Sequence, residues 1–167
     1  MVYGETQEKS AVIRQSVLDK KRNFSLEESN LAVSKEKLKV VLDANFLFVP
    51  SQFHLDIFEE LANLLNQRFE PILLSSTQKE LQGLAESSSP KKRKQALLAL
   101  RLAEKCHAVP AEKGIMETYD DVIVRVATEW KSPVATNDGE LRRRLRNLGI
   151  PVIFLRQKQR FELEGTV

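Results

Sequence analysis

From Lys39 to Leu155, short apolar runs alternate with longer stretches whose apolar residues recur at helical spacing, and this alternation is the strongest constraint on the fold. Residues 40–42, 72–74, 106–109, 133–136 and 151–155 read as five short strands. Residues 55–66, 77–86, 95–105, 120–130 and 139–148 read as helices between and around them. Leu55, Phe58, Leu61, Leu64 and Leu65 share one face of the first helix, and Ile123, Val126, Ala127 and Trp130 one face of the fourth. Leu97, Leu98, Leu100 and Leu102 are expected to pack closely in the third. Ser87 to Pro90 read as a loop, and Gly149 as the stop of the last helix. Strands alternating with helices of this length predict an α/β domain, with a mostly parallel five-stranded sheet covered on both faces. The 167 residues suit one such domain, residues 37–167, behind an extension, residues 1–36. In that extension Val12, Ile13, Val17 and Leu18 have the spacing of one amphipathic helix.

The carboxyl ends of the strands in an open parallel sheet converge on one crevice, where such folds bind ligands. Four acidic sites follow strands in this chain: Asp43 in KVVLDAN, Glu80 in ILLSSTQKEL, Asp120 with Asp121 in ETYDDVIVRVA, and Asp138 in PVATNDGEL. Each has a local explanation. Asp43 and Asp138 suit helix caps, and Thr77 with Glu80 fits a capping box. Asp120 and Asp121 fall in a first helical turn, where the macrodipole favours anions and Thr118 can be the N-cap. None of these explanations requires all four sites to lie at the same end of their strands. Carboxylates gathered there repel unless a cation lies between them, so the pattern reads as a hard-metal site suited to phosphodiester hydrolysis. Asp120 stands three before Ile123 and seven before Ala127, on the sheet-facing side, which makes it the expected inner ligand and Asp121 a secondary one. Thr136 and Asn137 add polar groups able to orient a bound water.

Charge is distributed in patches, although the net charge is only +3. Lys91, Lys92, Arg93 and Lys94 form one basic cluster; Arg142, Arg143, Arg144 and Arg146 form another, with Arg156, Lys158 and Arg160 beyond it. Both clusters are candidates for binding a polyanion such as RNA, against the plainer reading of solvated helix faces. One cysteine excludes an internal disulfide and a cysteine-rich zinc site. His54 and His107 have no partner spacing for a zinc site or a nucleophilic triad, and no glycine-rich nucleotide loop occurs. No apolar run reaches the roughly 18–20 residues of a membrane span, and the N-terminus lacks a signal-peptide pattern. The expectation is a cytoplasmic protein without a membrane partner.

In this order and spacing, the motifs D-x-N (Asp43, Asn45), the helix acid Glu80, D-D-x-I-x-x-x-A (Asp120 to Ala127) and T-N-D (Thr136 to Asp138) make the chain resemble the PIN-domain nucleases over roughly residues 39–160. ALLALRLAEK, the TYDD stretch and VATNDGELRRRLRNLGIPVIFL are similar to the branch of that family that processes small-subunit ribosomal RNA. The resemblance implies a three-layer α/β/α domain and a Mg²⁺- or Mn²⁺-dependent endoribonuclease. It places Asp43, Glu80, Asp120 and Asp138 in the catalytic metal site, with Asp121 as a further ligand and Asn45 and Thr136 as supporting residues. It also implies an RNA substrate, a ribosomal RNA precursor in the nearest branch. Pairing is common in relatives, and the N-terminal segment could mediate a homodimer or a protein partner. Two alternatives stay open: a toxin-type ribonuclease of a toxin–antitoxin pair, and a non-catalytic RNA-binding assembly factor.

Overall fold

Six strands form one sheet in the order β3-β2-β1-β4-β5-β6. They are β1 Leu38–Leu42, β2 Phe69–Leu74, β3 His107–Val109, β4 Val134–Ala135, β5 Val152–Arg156 and β6 Arg160–Glu164. The computed structural model describes residues 36–87 and 89–167, so the helix expected in the N-terminal extension lies outside the described residues. Strands β1 to β5 pair in parallel, and β6 returns antiparallel to β5. The mostly parallel sheet is the expected one, with a sixth strand in place of the expected five. RFELE, the sequence of β6, alternates apolar and charged residues: Phe161 is buried, Leu163 packs beside it, and Glu164 faces solvent. A charge at every second position belongs to an edge strand with one wet face, and it reads as a polar tail when met in sequence.

Period-two alternation sends the strand side chains into two separate cores. Val40, Leu42, Leu73, Ala135 and Ile153 enter one. Val41, Ile72, Leu74, Val134 and Val152 enter the other. Helix α1 (Val49–Phe53), helix α2 (Ile57–Leu65) and helix α4 (Pro90–Ala103) contribute to the first core through Val49, Ile57, Leu61, Leu65, Ala99 and Ala103. Helix α3 (Ser75–Ala85) adds Leu81 to it. Helix α5 (Tyr119–Trp130) and helix α6 (Gly139–Asn147) cover the second with Val122, Ile123, Val126, Ala127, Leu141 and Leu145. The result is three layers, α/β/α. None of the helices among the described residues is long and apolar enough to cross a membrane.

Local chemistry explains the helix ends. Asp56 caps α2, accepting from the amides of Phe58 and Glu59. Gly149, at φ 73°, closes α6: its amide donates to Arg146 and that of Ile150 to Leu145, the paired bonds of a Schellman motif. Two expectations are corrected. Helix α4 begins at Pro90, a favoured first helical residue, so the Lys91–Lys94 cluster lies at its start. Its buried face is Ala96, Ala99 and Ala103, whereas Leu97 and Leu98 are 51% and 38% exposed. Small alanines suit a close approach to the rest of the domain, which the leucine count alone does not reveal.

Candidate active site

Strand order places the switch point between β1 and β4. From β1 the chain moves outward to β2 and β3, then crosses back to β4 on the other flank. The crevice beyond the carboxyl ends of these two strands is where open α/β sheets bind ligands. Asp43 directly follows β1, and Thr136 directly follows β4. The Asp43 amide donates to the Ala135 carbonyl at 3.0 Å, continuing the ladder by one residue and presenting both side chains at the same edge.

Thr136, fully buried, is the hub. Its hydroxyl donates to Asp43 Oδ2 at 2.6 Å and accepts from the Asp138 amide at 3.1 Å. Asn45 Nδ2 lies 3.4 Å from the same hydroxyl, and Asn45 Oδ1 accepts from the Asn137 amide at 3.0 Å. Asn137 Oδ1 accepts from the Leu155 amide at 2.8 Å, tying this loop to β5. Phe46, fully buried, packs on Phe161 with ring centroids 4.7 Å apart and anchors the segment that carries Asn45. The three supporting residues, Asn45, Thr136 and Asn137, thus form one connected network with Asp43 and Asp138.

Electrostatics tie in the remaining acids. Asp43 is only 4% exposed. Burial first, and then the charges of Asp120 and Asp138, push its carboxyl up from an ordinary 3.8 to about 6, against the lowering effect of the Thr136 hydrogen bond. Glu80, on α3, rises from 4.5 to about 7 through burial and the charges of Asp43 and Asp120. Asp120, in the first turn of α5, is raised by burial and then by Asp138, with Arg144 opposing. Asp43, Glu80 and Asp120, from three different segments, therefore each feel the charge of another of these acids, and Asp138 acts on Asp43 and Asp120.

The alternative capping roles resolve differently from residue to residue. Helix α3 begins at Ser75, two residues before Thr77, so Thr77 is not an N-cap and Glu80 is not half of a capping box. Thr77 is instead fully buried, and its hydroxyl and that of Ser76 have no hydrogen-bond partner among the described residues. Asp138 does cap α6, through Oδ1 to the Leu141 amide at 2.8 Å, leaving Oδ2 without a partner among the described residues. Asp121 is the residue committed elsewhere. It completes a capping box with Thr118, accepting from the Thr118 amide at 2.7 Å, and its other oxygen accepts from Arg144 at 2.5 Å. Those donors hold its pKa down near 2. With both oxygens engaged on the capping side of α5, Asp121 is poorly placed for the secondary ligand role read from sequence.

The donor set is all oxygen, which matches a hard divalent ion. As the side chains lie, no three His, Cys, Asp or Glu among the described residues form a ready-made ligand cluster. Mg²⁺ does not need one, since it keeps several waters and takes one or two carboxylates. Mutual repulsion and raised pKa values are what a bound cation would relieve, so these residues fit such an ion.

The two basic clusters differ. Lys91, Lys92, Arg93 and Lys94 are all exposed. On α6, Arg142 stacks over the Phe154 ring at 4.1 Å, Arg144 pairs with Asp121, and Arg146 lies 3.4 Å from Glu164. Arg143 alone of those four is exposed and without an ion pair among the described residues. Much of the arginine run therefore serves the fold. Sequence reasoning did not identify a cleft of about 350 Å³ beside Asp138, formed in part by Phe48, Gln52, Phe53 and Lys158. Lys158 comes from a turn about 100 residues along the chain from Phe48, Gln52 and Phe53, and no spacing announces their meeting.

This fold and crevice define a nuclease-like α/β/α architecture, and comparison with known proteins agrees. Residues 40–158 match the PIN-like domain family model, and the chain belongs to the PIN-like domain family. It is 34% identical over 130 residues to Ribonuclease VapC4 of Methanocaldococcus jannaschii, covering 77% of this chain and 98% of that protein. It is 29% identical over 124 residues to Ribonuclease VapC9 of Archaeoglobus fulgidus, covering 74% and 87%. Among solved structures, the PIN domain endonuclease Utp24 superposes with a TM-score of 0.65 at 28% identity, covering 77% of this chain and 92% of that one.

Proposed function

We propose that this protein is a Mg²⁺- or Mn²⁺-dependent endoribonuclease that hydrolyses RNA phosphodiester bonds, acting in the maturation of small-subunit ribosomal RNA. The observation that carries this reading is the electrostatic coupling of acids from separate segments near the switch point: Asp120 and Asp138 act on Asp43, Asp43 and Asp120 on Glu80, and Asp138 on Asp120. A similar chain is named a ribonuclease over almost its full length, and a similar fold is described as an endonuclease. Asp43, Glu80, Asp120 and Asp138 would hold the ion, which when bound polarises the scissile phosphate and activates water for attack. The Thr136 hydroxyl fixes the rotamer of Asp43 and holds the amide of Asp138, so two ligand-bearing segments keep one spacing. Glu80, with its pKa near 7, exchanges a proton with solvent in the neutral range, which links charging of the cluster to cation loading.

Helix α4 supports the RNA part of the reading. Its first turn carries Lys91, Lys92 and Arg93, followed by Lys94, at the positive end of the helix dipole, an arrangement disfavoured by about 0.3–1 kcal/mol per charge in that turn. A phosphate backbone offsets that repulsion. The ribosomal assignment rests on sequence similarity to the rRNA-processing branch in ALLALRLAEK and VATNDGELRRRLRNLGIPVIFL. A second reading, a toxin-type ribonuclease, draws on the 34% identity to a protein named VapC4.

Depletion in the native cells, followed by mapping of ribosomal RNA ends, separates the two. Accumulated small-subunit precursor, cut by the purified chain with Mn²⁺ and not with EDTA, is the expected result. Normal ribosomal RNA, with growth arrest on overexpression relieved by a neighbouring gene's product, would favour the toxin reading. Absence of any cation-dependent cleavage of RNA would remove both.

A further inference from the structure

The cleft beside Asp138 has the chemistry of a nucleobase site, and we propose that it holds the base of a nucleotide flanking the cleaved phosphate. This rests on the ribonuclease reading and adds the element that reads or grips the substrate. The cleft's volume, about 350 Å³, lies within the roughly 300–1,000 Å³ of ligand pockets. One side is aromatic, with Phe48 and Phe53 half-buried against the core and part of each ring surface left to the cleft. Stacking on such rings is the usual way an unpaired base is held. Gln52, exposed and without a partner among the described residues, offers a donor and an acceptor for a base edge. Lys158 stands at the rim for a phosphate. Asn45 and Asp138 belong to both the cleft and the carboxylate network, so an occupant borders a proposed metal ligand, Asp138, directly.

Backbone conformation supports a functional wall. Gln157 and Lys158 both take positive φ, 52° and 60°, at the turn between β5 and β6, closed by the Gln159 amide on Arg156. Such a turn favours Asn or Gly, and here it carries two long side chains, one of them aimed at the cleft rim. His54, directly after Phe53, is also left-handed, at φ 58°. Of the five non-glycine residues with positive φ among those described, Lys158 lines this cleft, and Gln157 and His54 each adjoin a residue that does. Unfavourable backbone of this kind gathers where a site must be held in shape.

Equilibrium binding tests the assignment without cleavage. The full chain in EDTA is titrated into a fluorescent hexauridylate and into the same ribose-phosphate chain lacking its bases. The base-bearing chain is expected to bind about tenfold more tightly, as stacking of one or two bases implies. That difference should collapse in Gln52→Ala and in Phe53→Leu, with thermal melting confirming that both variants fold. Equal affinity for the two chains, or a preference that both variants retain, would overturn the base site. Neither outcome depends on nuclease activity, whose own failure would show as absent cleavage in Mn²⁺.

Discussion

At the scale of single residues, Asp43 and Thr136 carry most of the site's logic. Asp43 is buried at the end of a strand, where the Thr136 hydroxyl and the Ala44 amide favour its charged form but burial and the charges of Asp120 and Asp138 outweigh them. Asp43→Asn keeps an acceptor for Thr136 and removes the charge. Cation-dependent cleavage should fall by about a hundredfold or more, while urea denaturation at pH 8 in EDTA shows a more stable protein, not a less stable one. A variant that is destabilised and still cleaves would place Asp43 in the core and outside the chemistry. Thr136→Val makes the complementary test. It strips the donor from Asp43 and the acceptor from the Asp138 amide, and should cost about 1–3 kcal/mol by the same measurement. Thr136→Ser keeps the hydroxyl and should retain most of that stability.

The elements explain why neighbouring acids have different fates. Thr118 opens α5, which places Asp121 at the third helical position and Asp120 at the second. The third position reaches back to the cap amide, and the second turns toward the crevice. Asp121→Ala should therefore lower the melting temperature modestly through loss of the cap and the Arg144 pair. Its cleavage rate and Mn²⁺ affinity should stay within about threefold of wild type, read by a fluorescent-RNA assay and calorimetry. A large loss of Mn²⁺ affinity would return Asp121 to the ligand set. For α3, a start at Ser75 instead of Thr77 releases Glu80 from capping. The shift is only two residues, and local sequence does not decide it. What decides it is that β2 runs on to Leu74 and hands the chain directly to the helix.

At the scale of the whole molecule, stability and cation binding are linked through pH. Asp43 and Glu80 bind protons more tightly in the folded state than in the unfolded chain. Protonation therefore favours folding, and the penalty for their charge is absent below about pH 4, grows through pH 6–7 and is complete above. For Asp43 alone the shift from 3.8 to about 6 corresponds to a penalty on the order of 3 kcal/mol at high pH. In EDTA, the melting temperature should decline from pH 5 to pH 8 by more than Asp43→Asn shows. Mn²⁺ at about 100 times its Kd adds about 2.7 kcal/mol, and its stabilising effect should grow across the same pH interval. A Mn²⁺ effect that is flat with pH would mean the ion binds away from these two carboxylates.

The sequence by itself determined the alternation of strands and helices, the two-faced parallel sheet and the acids at the strand ends, because these follow from side-chain periodicity and strand length. It also marked Thr118 and Gly149 as helix boundaries, since capping depends on a few adjacent residues. Tertiary structure alone decided that Asp121 is engaged away from the crevice, because Arg144 donates to it across 23 residues of chain. It alone showed that most of the α6 arginines brace the fold, and that Phe48, Phe53 and Lys158 meet in one cleft. Such convergence of distant segments depends on strand order and crossover geometry, which leave no periodic trace in the order of residues.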